Sequence, residues 1–266
     1  MIHVKSWNLT DSVSFICRIP ENYCDAQRNQ YVQDSLGSMA AANLSAFVVG
    51  STGEVGKAIV KELARTPGFS RVTLIARKQV ELPKDEGENV YSKFDQKLVD
   101  FDKLSENHAE DFKGYDVGFC ALGTTRGKSG REGFIKVDHD YVMSTGKLAK
   151  EGGCKHFNLV SAGGTNKNSF FLYPQVKGQV EEEMQELGFP RLTIWKPNIL
   201  LVDRAEPRFF EKIAQAVTGA LDRYRLFSID VPVLAKVMVN RVFEPQTSPV
   251  EMVSNREVYH KGLELS

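Results

Sequence analysis

Four cysteines in 266 residues, Cys17, Cys24, Cys120 and Cys154, are too few and too irregularly spaced for a disulfide framework. No CxxC pair supplies a zinc ligand set, and a reducing compartment is the expectation. Surplus charge is also missing: 34 Lys and Arg face 34 Asp and Glu, with neither sign concentrated in any stretch. A protein that tracks a phosphate backbone needs a clustered positive excess, so direct nucleic-acid binding is not expected. No apolar run approaches the roughly 20 residues of a membrane span, and the first residues lack the basic start and apolar stretch of a signal peptide. Asp11, Glu21 and Asp25 argue against a mitochondrial transit peptide, so a cytoplasmic protein is expected. With hydrophobic residues at 42% and charged residues at 26%, the composition is that of a folded, soluble domain.

Residues 1–43 mix isolated apolar residues with Asn, Gln, Ser and Asp without a sustained period, and read as a mobile extension. From residue 44 to 266 the pattern is that of a single α/β domain, in which short apolar strands alternate with amphipathic segments. Strands are expected at 46–49, 72–76, 97–101, 117–121, 156–160 and 192–195. Helices are expected at 55–64, 105–112, 134–150 and 173–187. Beyond Pro197 the pattern loosens into a small substrate-side extension, with helices expected at 209–221 and 232–243 and a frayed end at 258–263. Near-continuous apolar strands suit a parallel sheet covered on both faces, and right-handed crossovers then imply a doubly wound, Rossmann-type fold. Its ligand crevice lies at the carboxyl ends of the strands.

The loop after the first strand reads Gly50-Ser51-Thr52-Gly53-Glu54-Val55-Gly56. Gly50 permits the tight turn, Gly53 lets backbone amides approach a pyrophosphate, and Gly56 allows helix and strand to pack closely. The helix N-terminus adds partial positive charge and free N–H donors. Where an NAD-binding fold would carry an acid for the ribose hydroxyls, 77 − 56 = 21 residues past the third glycine, this chain has Arg77 followed by Lys78. A guanidinium suits the 2′-phosphate of NADP(H), against the plainer reading of a solvated strand end. Asp100 faces the adenine amine or caps a turn, and Leu122-Gly123-Thr124 either passes close to the cofactor or forms a surface turn.

Tyr173 and Lys177 are four apart and share one face of a helix, with Ser161 12 residues before the tyrosine. A lysine ammonium beside a phenol favours the phenolate, which would make Tyr173 a general acid/base near neutral pH, and the Ser161 hydroxyl would orient a substrate carbonyl. An ordinary helix surface is the alternative. His139 and His156 have no spaced partners for a metal, and Cys120 and Cys154 read as small buried residues ahead of redox-sensing thiols.

On these residues, together with Asp116-Val117-Gly118-Phe119-Cys120, Leu122 to Gly127 and Gly153 to Leu159, the chain resembles the short-chain dehydrogenase/reductase superfamily in its atypical branch. Within it the chain resembles the Tat-interacting oxidoreductase-like proteins, over roughly Leu44 to Gly262. The resemblance implies NADPH binding, a Ser161/Tyr173/Lys177 triad and a small carbonyl or alcohol substrate. It also implies a redox-responsive regulator that engages nuclear import receptors and transcription-related proteins, linked with apoptosis and partly nuclear, and a monomer or a dimer. A conventional metabolic reductase and a cofactor-bound scaffold without turnover are the alternatives. Two positions depart from the pattern. Val137-Asp138 stands where many members carry an Asn of the proton relay, and Pro197-Asn198 replaces Pro-Gly after the sixth strand, with Pro197 retained as a cofactor-binding position and Asn198 expected to tolerate a positive φ.

Overall fold

The computed structural model describes residues 42–82, 90–124, 126–201 and 228–265. The expected extension before residue 42 and the expected helix at 209–221 lie outside them. Nine strands are described: β1 (Leu44–Val49), β2 (Phe69–Ala76), β3 (Phe94–Leu98), β4 (Val117–Cys120), β5 (His156–Val160), β6 (Arg191–Lys196), β7 (Ile199–Leu201), β8 (Ser228–Asp230) and β9 (Val250–Ser254). The principal helices are α1 (Glu54–Arg65), α2 (Arg126–Ile135), α3 (Tyr141–Glu151), α4 (Leu172–Glu186), α5 (Val231–Arg241) and α6 (Asn255–Glu264).

Seven strands form one sheet in the order β3-β2-β1-β4-β5-β6-β9, every pair parallel, and β7 and β8 form a separate parallel pair. The doubly wound Rossmann-type expectation is met, with a seventh strand added. Strand order reverses between β1 and β4, and ligands of such sheets bind at that switch point. β1 shows why its sequence is continuously apolar. Ala46 and Val48 enter one core with Ile59 and Leu63 of α1 and Leu234 and Met238 of α5. Phe47 and Val49 enter the opposite core with Met143 and Leu148 of α3 and Met184 of α4. Side chains alternate across a strand, so a strand covered on both faces has no polar position to spare.

Three expectations need correction. β3 spans Phe94–Leu98 instead of 97–101, because the chain turns at Asp100, whose carboxylate accepts from the Asp102 N–H at 3.0 Å and opens a 3-10 turn. The expected helix at 105–112 is a short turn, Leu104–Asn107, and a 3-10 segment, Ala109–Phe112, divided at His108. The frayed end is a formed α6, started by a capping box in which Ser254 accepts from the Glu257 N–H and the Glu257 carboxylate accepts from the Ser254 N–H. It follows β9, whose alternating Val-Glu-Met-Val-Ser hides an edge strand. Buried Glu251 of β9 meets Arg241 of α5 at 2.9 Å and Arg191 of β6 at 3.5 Å, which ties this edge to the sheet. Among the described residues no helix is long and apolar enough to cross a membrane.

Candidate active site

The β1–α1 loop closes by contact of backbone on backbone. Gly50 has φ +84°, and a Cβ there would lie 2.4 Å from the Ala121 carbonyl oxygen. A Cβ on Gly56 would lie 2.1 Å from the Gly50 carbonyl oxygen. Gly53 is different: a Cβ would meet only that same oxygen, at 3.4 Å, in ordinary contact. Gly50 and Gly56 are therefore demanded by the fold, whereas Gly53 leaves room on the side where α1 begins. No side chain caps the start of α1. The Ser51 hydroxyl is buried with no hydrogen-bond partner among the described residues. An orphaned hydroxyl beside an uncapped helix start fits a phosphate-bearing cofactor.

The cleft at this point has a volume of about 510 Å³. Gly50 to Gly53 form one wall, Arg77 and Lys78 at the end of β2 another, and Leu122, Gly123 and Thr124 after β4 a third. Both cations are exposed there, free to meet an anion. Glu54 and Val55 do not line this cleft: Glu54 pairs with Lys57 at 3.4 Å, and Val55 joins the core beneath α1. Asp100 does not line it either, and takes the capping role instead of an adenine contact. Pro197 is buried after β6, and its carbonyl accepts from the Gly163 N–H at 2.7 Å. Asn198 follows without a positive φ, so its tolerance of one is not called upon, and Asn43 is the one non-glycine residue with positive φ among those described. A larger cavity of about 740 Å³ adjoins the cleft, sharing Ser51 and Thr52 and running along α1 past Lys57, Val80 and Pro232.

Tyr173, Lys177 and Glu181 succeed one another at intervals of four along α4 and so share a face. Lys177 does not act on Tyr173 alone. Its buried ammonium lies 2.8 Å from Asp138 Oδ1, and Asp138 Oδ2 accepts from the Thr124 N–H at 2.7 Å. Asp138 sits in a π-helical turn, Lys136–Asp140, between α2 and α3. The expected phenolate is not favoured: burial pushes the Tyr173 hydroxyl above its ordinary value, Lys177 pulls it down, and Asp138 pushes it up again. The Tyr173 ring is half-exposed and packs on Phe134 at a centroid distance of 5.7 Å.

Ser161 is buried and donates to Glu181 Oε1. Thr165 donates to the same carboxylate at 2.8 Å, and Lys196 of β6 reaches Glu181 Oε2 at 2.8 Å. The structure thus joins Ser161 to Glu181 and Lys177 to Asp138, with no hydrogen bond from the Tyr173 hydroxyl among the described residues. Asp138 enters the sequence reading only as a departure from a relay, and Glu181 not at all. The signal for Glu181 was its place four residues past Lys177, on the same helical face.

The remaining candidates take structural roles. Burial pushes the thiols of Cys120 and Cys154 up to about 11 and about 12, which removes thiolate reactivity. Burial, with Arg191 nearby, lowers His156 to about 3, so its ring is neutral and bonded to Thr193 Oγ1 at 2.9 Å. Among the described residues no cluster of His, Cys, Asp and Glu could hold a metal ion.

A family described as NAD(P)H-binding matches residues 50–206. The chain is 45% identical to Protein HTATIP2 of Rattus norvegicus over 222 residues, covering 83% of this chain and 90% of that protein. It is 34% identical to Protein FMP52, mitochondrial, of Debaryomyces hansenii over 233 residues, covering 83% of this chain and all of that protein. Two Scheffersomyces stipitis relatives are likewise named mitochondrial, which overturns the expectation of a cytoplasmic and partly nuclear protein. Among solved structures, the oxidoreductase ylbE of Lactococcus lactis superposes with a TM-score of 0.58 at 20% identity, covering 83% of this chain and 97% of that one. MoeE5 in complex with UDP-glucose and NAD gives 0.59 at 11% identity, covering 79% and 75%. Glycine loop, uncapped helix, switch-point cleft and relatives agree: the chain belongs to the NAD(P)H-binding family and has a Rossmann fold.

Proposed function

We propose that this protein is an NADP(H)-preferring carbonyl/alcohol oxidoreductase whose acid is Tyr173. The observation that carries the reading is the pairing of Arg77 and Lys78 with the glycine loop across one cleft, where an NAD-specific fold would carry a carboxylate. Gly53 and the start of α1 would hold the pyrophosphate with Ser51, and Arg77 would fork onto the 2′-phosphate. Leu122 to Thr124 would flank the nicotinamide half, and Lys177 would reach its ribose from beneath Gly123. When bound, NADP(H) supplies the hydride chemistry. Tyr173 holds the proton for the reacting oxygen. The test is calorimetric titration with NADPH and with NADH, on the wild type and on Arg77→Ala. NADPH affinity should fall about tenfold in the variant while NADH affinity is unchanged, the exposed guanidinium contributing at the lower end of charge-assisted hydrogen bonds. Equal weakening of both nucleotides, or binding of neither, would sink the reading.

A second reading is favoured by the commitment of Ser161 and Lys177 to carboxylates. In it, cofactor occupancy is sensed by a protein partner, for which the resemblance suggests nuclear import receptors and transcription-related proteins. Its required signature is a partner affinity that changes with NADPH and persists in Tyr173→Phe, because a ligand acts only through different affinities for two states.

A further inference from the structure

Asp138 is 1% exposed, and its two oxygens serve different masters: Oδ1 holds the Lys177 ammonium at 2.8 Å and Oδ2 the Thr124 N–H at 2.7 Å. A Cβ on Gly123 would lie 3.3 Å from Asp138 Oδ1 and 3.9 Å from Lys177 Nζ, so the ion pair lies directly beneath the glycine that borders the cleft. The π-turn that carries Asp138 is a widened helical turn of the kind found where a helix re-aims a functional side chain. We propose that Asp138 is a positioning residue of this site: it clamps Lys177 under the Leu122–Thr124 loop, cancels its charge towards Tyr173, and so keeps Tyr173 a proton donor set for carbonyl reduction.

The proposal rests on the oxidoreductase reading and gives it a direction. Among the described residues the charged and titratable groups around Tyr173 are few. Lys177 comes from its own helix, Asp138 from the π-turn, and Cys120 of β4 faces the same pair as a neutral thiol. A free lysine one turn from the phenol would favour phenolate, the form that takes a proton from an alcohol. With Asp138 at hydrogen-bond distance the two charges oppose each other, and burial adds to the cost of phenolate. Proton transfer from Tyr173 Oη to a substrate oxygen breaks the phenolic O–H bond, and the phenolate left behind takes a proton back from water.

The measurement is the ultraviolet titration of tyrosinate in Asp138→Asn, with the same variant carrying Tyr173→Phe subtracted to isolate one of the 8 tyrosines. Tyr173 should titrate about one pH unit or more lower than in the wild type, which is about a tenfold larger phenolate fraction at a given alkaline pH. A folded Asp138→Asn in which Tyr173 titrates as before overturns the proposal, since a purely structural aspartate would change stability alone. Should that variant not fold, the wild type still decides: nitrogen-detected magnetic resonance should show the Lys177 ammonium as a solvent-protected signal that Lys177→Arg removes, and absence of that signal also overturns it. Neither measurement needs nucleotide. Failure of the NADPH titration therefore speaks against the oxidoreductase reading, and failure of these against the role of Asp138.

Discussion

The cradle formed by Gly50 to Gly56 and the end of α4 that carries Tyr173 lie on the same rim of the sheet, yet they are built by opposite means. The cradle works by the absence of side chains, with Gly50 and Gly56 each standing under 2.5 Å, by a notional Cβ, from a backbone oxygen. The α4 end works by side chains that answer one another: Asp138 to Lys177, and Glu181 to Ser161, Thr165 and Lys196. A backbone cradle is inseparable from the fold, so damage there should be structural unless it falls on the one glycine with space around it. Gly56→Val is thus expected to cost about 3 kcal/mol or more of stability, read as a large fall in the urea midpoint. Gly53→Val, with φ −78° at the parent residue, should fold normally and lose NADPH affinity in calorimetry. Equal stability losses for the two variants would erase the distinction between packing glycine and ligand glycine.

The side-chain end should behave the other way round. Lys196→Met leaves Glu181, whose side chain is 7% exposed, with two hydroxyl donors and no cation. Removing one partner of a buried pair costs roughly 3–5 kcal/mol, and the partial exposure of Lys196 lowers the expectation to about 2 kcal/mol. NADPH affinity should stay at the wild-type level, because neither Glu181 nor Lys196 lines the cleft. A variant as stable as the wild type would mean that water replaces the ammonium, and a loss of NADPH affinity would mean that this network reaches the cofactor after all.

The same contrast explains what was legible in the sequence. The glycine loop, the cations after β2 and the alternating strands were readable because each obeys a local rule of spacing or steric need. Ser161, Tyr173 and Lys177 were readable as residues but not as a triad, since the carboxylates that capture two of them lie 20 residues after Ser161 and 39 before Lys177. β9 escaped because Val250 to Ser254 alternates with a charge, Glu251, that Arg191, Arg241 and Thr247 together make tolerable inside. Asp100 and the end of β3 were misplaced because a strand end and a cap share the same residue type, and the decisive bond to the Asp102 N–H is a matter of geometry.

The two joints between the π-turn and α4 carry the comparison to its smallest scale. Asp138 meets Lys177 in the interior, while one residue later His139 meets Glu183 at 3.2 Å near the surface, with Asp140 at 2.8 Å on its other nitrogen. Burial opposes charge on the His139 ring, but the hydrogen bonds to Asp140 and Glu183 outweigh it and raise its pKa above the ordinary 6.5. A raised folded-state pKa means that the protonated ring is held more tightly in the native than in the unfolded chain. Its contribution is fully present below pH 6.5 and is lost as pH rises through the raised value. Partly solvated pairs of this kind contribute less than about 1 kcal/mol. The urea midpoint of the wild type should therefore exceed that of His139→Gln by a small margin at pH 6, and the margin should vanish by pH 9. A margin that grows with pH would show that the neutral ring is the form the fold holds, and that no ion pair at His139 fastens the π-turn to α4.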